Sequence, residues 1–143
     1  MLLKLYISSE AAQTLDDYVK RLKRSHPVRA VVVFGSAAKG GWNHRSDIDV
    51  LIVSDSMGTD WFERNLAAQK LSRGRIQAFV VTSDEVESAI ESHAYLIWEA
   101  LHDGVVVFDD GVFETARAAL MELMGSGRVA RREQGWDLRS TAT

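Results

Sequence analysis

Two short apolar runs constrain this chain more than any other feature. Ala30-Val31-Val32-Val33-Phe34 and Val50-Leu51-Ile52-Val53 are continuous, rich in β-branched residues and free of polar interruption. A run without alternation cannot leave one face in water. Each therefore reads as a strand buried on both faces, within a sheet that helices cover on either side. The flanking segments supply those helices. Before the single proline, Pro27, residues Leu15, Tyr18, Val19 and Leu22 recur at helical spacing, opposite Asp16, Asp17, Lys20, Lys23 and Arg24. Ser8 or Ser9 is placed to cap that helix.

The remainder of the chain keeps the same alternation. Asp60 is an N-cap for a helix starting at Trp61, with Phe62, Leu66 and Leu71 on its expected inner side and Gly74 beyond it. A third strand is predicted over Arg75–Val81. Thr82 and Glu85 have capping-box spacing, opening one helix that carries Val86, Ile90, Ile97 and Leu101 and stops at Gly104. Val105–Phe108 is a fourth strand, and Asp109-Asp110-Gly111 turns into a last helix ending near Met124. Strands alternating with helices predict an α/β or α+β layered fold. The expected organisation is one domain over 1–125 and a solvated C-terminal tail over 126–143, which carries four arginines and two acids.

Composition narrows the function classes. A chain of 143 residues is the size of one domain and buries roughly 68–70% of its unfolded surface, enough for a core without staples. It contains no cysteine, which excludes disulfides, thiolate metal sites and a cysteine nucleophile. Its net charge of -3 argues against a general nucleic-acid coat or a polybasic membrane binder. The four histidines are too scattered for a zinc-helix signature. With short apolar runs and no signal-peptide pattern at the N-terminus, a cytoplasmic protein without a membrane partner is expected. A homo-oligomer stays open.

The informative stretch joins the two apolar runs. Gly35-Ser36 ends the first, ten residues follow, and Asp47-Ile48-Asp49 opens the second. A strand's period of two puts Asp47 and Asp49 on one face. Two carboxylates at the head of a buried strand are costly unless something positive neutralises them, and a hard divalent cation with substrate phosphates does so. Gly35 allows close backbone approach to a phosphate, while Ser36 offers a hydroxyl and an amide donor. Lys39, His44 and Arg45 lie in the intervening loop. Lys39 and Arg45 could contact phosphate oxygens, and they read equally well as solvated loop charges.

Gly35-Ser36, the ten-residue spacing and Asp47-x-Asp49 before an apolar strand resemble the minimal nucleotidyltransferases of the polymerase-β superfamily. The resemblance spans about Leu15 to Phe108. It implies a palm fold with a mixed sheet of about four strands. It also implies transfer of a nucleotidyl group, AMP from ATP in the expected case, to a hydroxyl with Mg²⁺ or Mn²⁺ held by Asp47 and Asp49. Members with this spacing are often antitoxins whose partner is an α-helical HEPN protein.

The chain departs from the family in one respect. The family carries a third acid on the following strand, and here Gln77 falls at that position. No residue from Gly74 to Ser83 is Asp or Glu. Glutamine coordinates through a neutral carbonyl and is no useful base. Nucleotide binding with weakened transfer is therefore expected, with Asp55, Asp84 and Glu85 as conceivable substitutes. The alternative is a non-catalytic nucleotide- or partner-binding module, which predicts an exposed apolar patch on a helix. Lys20, Arg21, Lys23 and Arg24 form a basic cluster that reads as a solvated face offset by Asp16 and Asp17.

Overall fold

A computed structural model describes residues 4–133 and 135–138. Helix α1 (Ser9–Ser25) is capped by the Ser8 hydroxyl and buries Leu15, Tyr18, Val19 and Leu22, the stripe its spacing predicts. Strand β1 (Ala30–Phe34) follows Pro27, and a single-turn helix α2 (Ser36–Lys39) comes directly after Gly35. Strand β2 (Ile48–Val53), helix α3 (Trp61–Gln69) and strand β3 (Ile76–Val81) form a crossover unit in which β2 and β3 run parallel. Helices α4 (Ser83–Glu87) and α5 (Tyr95–Asp103), strand β4 (Val105–Asp109) and helix α6 (Val112–Gly125) complete the main layer structure.

The sheet is mixed, in the order β3-β2-β1-β4, with β1 antiparallel to both β2 and β4. Alternation along the strands divides the core in two. Val31, Val33, Val50, Ile52 and Val80 pack with α1 on one face. Val32, Leu51, Val53 and Val81 pack with α5 and α6 on the other. Burial on both faces is the arrangement that the unbroken apolar runs require.

The β3 edge of the sheet is closed by side chains of α3. The Gln69 amide donates to Ile76 O and accepts from Ala78 N, Asn65 Oδ1 accepts from Val80 N, and Arg64 Nε donates to Val80 O. These bonds satisfy an edge that would otherwise invite another strand. They also correct one sequence expectation. Helix α3 docks through Arg64, Asn65, Ala68 and Gln69, so Phe62 and Leu66 turn outward, 72% and 44% exposed.

Two further expectations change. The helix predicted from Thr82 to Gly104 is two helices, broken where His93 adopts a positive φ of 53°. The Thr82–Glu85 capping box is present at the start of α4. In the segment expected as a solvated tail, β5 (Val129–Arg131) and β6 (Trp136–Leu138) pair antiparallel. Val129 is buried, Trp136 meets Trp98 edge-on at 5.3 Å, and Arg131 pairs with Glu99 at 3.0 Å. The hairpin thus rests on α5. Among the described residues no helix is long and apolar enough to cross a membrane.

Candidate functional site

The candidate residues meet at one end of the sheet. Antiparallel pairing sets Asp49 beside Phe34, the last residue of β1, and so next to Gly35. Parallel pairing sets Asp49 beside Gln77 on β3. Asp49 shares its face with Leu51 and Val53, and Gln77 shares the same face with Val81, by strand alternation. Asp47 lies just before β2 on the same side. Gly35, Asp47, Asp49 and Gln77 therefore gather at the same end of three neighbouring strands, with Asp49 and Gln77 level.

Gly35 is fixed by geometry. Its φ of 70° and ψ of -151° lie where residues with a Cβ are strained. A Cβ built there would also collide with Oδ2 of Asp49. The backbone thus approaches the carboxylate more closely than any side chain would allow. Ser36 follows as the first residue of α2, whose turn closes by bonds from Ala38 N and Lys39 N to Gly35 O, both 3.0 Å.

Electrostatics mark the aspartate pair. Burial of the half-buried Asp49 carboxyl raises its pKa above the ordinary aspartate value, and the Asp47 charge raises it further. The ionised form is penalised by lost hydration and by a like charge. Such a pair is suited to a divalent cation. Two carboxylates plus substrate phosphates match the preference of Mg²⁺, so the donors fit one ion. Among the described residues no group of three or more His, Cys, Asp and Glu side chains gathers to hold a metal by protein ligands alone.

The loop cations are placed differently. Lys39 Nζ lies 3.9 Å from Asp103 Oδ2, and Asp103 Oδ1 is 2.8 Å from His102 Nδ1. Arg45 stays exposed in a turn tied by Arg45 N to Asn43 Oδ1 at 2.8 Å, and its carbonyl accepts from Arg75 Nη1 at 2.9 Å. His44 meets Trp42 edge-on. Sequence reasoning overlooked Asp103 and His102. Val105 pairs with Val33, which brings the end of α5 to the Gly35 end of the sheet. The Gly104 stop before β4 was the available signal.

None of the conceivable substitutes for the third acid reaches Asp49. Asp55 lies six residues along β2 and beyond, about 20 Å away at the rise of a strand. Its carboxylate accepts from Ser83 Oγ at 2.5 Å and from Ser83 N at 2.8 Å, bonds that hold its pKa low. Glu85 closes the α4 capping box and pairs with Arg64 at 2.8 Å. Asp84 belongs to the same helix, which follows the far end of β3. On the β3 side, the neighbour of Asp49 is Gln77.

A family profile described as nucleotidyltransferase domain matches residues 15–122. No curated protein matches the chain. Among solved structures, a Sulfolobus solfataricus protein assigned as a nucleotidyltransferase superposes with a TM-score of 0.52 at 23% identity, covering 68% of this chain and 79% of its own. A point mutant of the MntA–HpeT toxin–antitoxin complex gives 0.53 at 20% identity, covering 80% of this chain and 90% of its own. A double mutant of the same complex gives 0.50 at 18% identity, covering 79% and 90%. At these identities the likeness is one of fold.

Proposed function

The chain belongs to the nucleotidyltransferase domain family, and from that membership we propose that Gly35, Ser36, Asp47 and Asp49 bind a nucleoside triphosphate, ATP in the preferred reading, together with a divalent cation. The observation that carries this reading is the half-buried Asp49, whose ionised form burial and the neighbouring Asp47 charge disfavour, against a backbone at Gly35 that only glycine allows. Asp47 and Asp49 would hold Mg²⁺ or Mn²⁺, which would offset their repulsion and the charge that develops on the leaving pyrophosphate. Gly35 opens room for phosphate oxygens against the strand, and Ser36 supplies its hydroxyl and amide. Lys39 and Arg45 serve as phosphate contacts, with Lys39 held near the site by Asp103.

Transfer of AMP joins an acceptor hydroxyl oxygen to the α-phosphorus and breaks the bond to pyrophosphate. The hydroxyl proton then needs an acceptor. Gln77 beside Asp49 cannot take it, and no other acid stands in that row. We therefore read the domain as one that binds nucleotide and transfers it slowly. The acceptor in this reading is a hydroxyl on an α-helical HEPN-type partner, with this chain as the antitoxin half. The toxin–antitoxin complexes that share its fold support that pairing.

A second reading has its own observation. Trp61, Phe62 and Leu66 are 43%, 72% and 44% exposed on α3. An apolar ridge of this kind suits a non-catalytic module that acts by covering a partner. Incubation with labelled ATP, Mg²⁺ or Mn²⁺ and a helical partner separates the readings. Weakened catalysis predicts slow labelling that Gln77→Asp raises by about 10²–10⁴. Rapid labelling by the native chain, abolished by Asp47→Ala, would refute the weakened enzyme. Partner binding that survives Asp49→Ala without any labelling would favour the covering module.

A further inference from the structure

On the face of the sheet opposite Asp47 and Asp49, α1 and the loop between α3 and β3 enclose a cleft of about 400 Å³. Lys20, Arg21, Arg24 and Arg73 line it, with Asp17 and Leu71. Four cations against one carboxylate is a sharp local excess in a chain of net charge -3. The sequence suggests that the acids of α1 cancel its basic cluster, and the structure shows this only in part. Lys20 is paired with Asp16 at 2.9 Å, and Asp17 accepts from Gln13 at 2.9 Å.

The arginines are held in another way. Arg21 Nε donates to Leu71 O at 2.9 Å, and Arg24 Nε donates to Lys20 O at 3.3 Å. Each bond fixes the base of a guanidinium and leaves its terminal nitrogens for an acceptor. Arg73 arrives from a different segment, the α3–β3 loop. Cations in the last turn of α1 also complement the helix dipole, but that does not account for Arg73. Planar cations brought from two segments to one cleft, two of them anchored at Nε, suit bidentate binding of phosphate oxygens. The lining has one apolar side chain, Leu71, and no aromatic ring on which a base could stack.

We propose that this cleft is an oligophosphate site, separate from the Gly35–Asp49 site and independent of the reading given to it. The phosphate chain of a nucleotide and a free inorganic oligophosphate share the chemistry it recognises. The guanidinium forks hold the anion, and the sugar and base of a nucleotide would lie outside.

Calorimetric titration of the full chain with inorganic tripolyphosphate, in chelator and low salt, tests this. Without divalent metal the aspartate pair repels the anion, so binding reports the cleft. Saturable binding is expected, weakening as salt rises. Arg24→Gln with Arg73→Gln should lower the affinity at least about tenfold while shifting the thermal midpoint by no more than about 3 °C, the scale of the Arg24 contribution to the helix dipole. Arg21 is kept, since its guanidinium bonds the Leu71 carbonyl across elements. Metal-free ATP should compete and adenosine should not. ATP binding no tighter than tripolyphosphate marks the free anion as sufficient, and tighter binding marks the nucleotide. The proposal is overturned by absence of binding up to about 1 mM, by equal affinity in the double variant, or by competition from adenosine. Tighter binding of single-stranded RNA than of tripolyphosphate would assign the cleft to nucleic acid and also overturn it.

Discussion

Replacing Gly35 by alanine tests the site at its most constrained point. The native φ of 70° with ψ of -151° falls in a region almost reserved for glycine, where a Cβ costs about 1–3 kcal/mol. The new methyl also meets Asp49 Oδ2, so the carboxylate must move aside to make room. Displacing it adds about 1 kcal/mol, the scale of a modest overpacking. Together these give a loss of about 2–4 kcal/mol. For a chain of this length that lowers the thermal midpoint by about 7–13 °C, from an unfolding entropy near 2.1 cal/mol/K per residue. Urea unfolding of four proteins (native, Gly35→Ala, Asp49→Ala and the double variant) separates the two causes. With Asp49 shortened, the collision disappears and only the backbone strain remains. The double variant should therefore lose about 1 kcal/mol less than the sum of the single changes. Gly40→Ala is a useful control, because its φ is also positive at 110° but nothing lies within 4 Å of its added Cβ. A Gly35→Ala cost below about 0.5 kcal/mol, or full additivity with Asp49→Ala, would refute the close approach of this backbone to the carboxylate.

Further outcomes follow from other contacts. Because Asp49 titrates above the ordinary aspartate value, its ionised form is disfavoured in the fold, and that penalty appears as pH rises through the unfolded aspartate range. Asp49→Asn should accordingly raise the unfolding midpoint of the metal-free protein at neutral pH and leave it little changed in acid; a lower midpoint at neutral pH would contradict the burial account. Asp55 has the opposite sign: its low pKa contributes stability above the unfolded aspartate pKa, lost as pH falls through the folded value. Ser83→Ala removes the hydroxyl bond to exposed Asp55 and should cost about 1 kcal/mol near neutral pH and less below about pH 4, which urea midpoints across that range would show. Gln69→Ala strips the cover from Ile76 O and Ala78 N and should cost about 1–2 kcal/mol while promoting self-association, read by light scattering.

Much of this fold can be read from spacing alone because its core is made of unbroken runs. Ala30–Phe34 and Val50–Val53 leave no polar face, and the α1 stripe ends in recognisable signals at Ser8 and Pro27. Features set by side-chain bonding across the chain cannot be read that way. Phe62 and Leu66 form an apolar spacing pair, yet α3 turns its polar Asn65 and Gln69 inward to close the edge of β3. The break at His93 is a backbone conformation that no glycine or proline announces. The β5–β6 pair is held by Trp136 on Trp98 and Arg131 on Glu99, long-range contacts with no local periodicity. At the site, the register that pairs Asp49 with both Phe34 and Gln77 depends on strand order, which the motif does not state. Lys39 shows the difference: its place in the loop is legible, its tether to Asp103 is not.

Asp47 and Asp49 are proposed to hold a nucleotide together with a divalent cation. Calorimetric titration of ATP into the full chain, with and without Mg²⁺, tests this. Binding at the aspartate site should require the cation and disappear in Asp47→Asn. Cation-dependent binding that is the same in Asp47→Asn as in the native chain, or no cation-dependent binding at all, would contradict it.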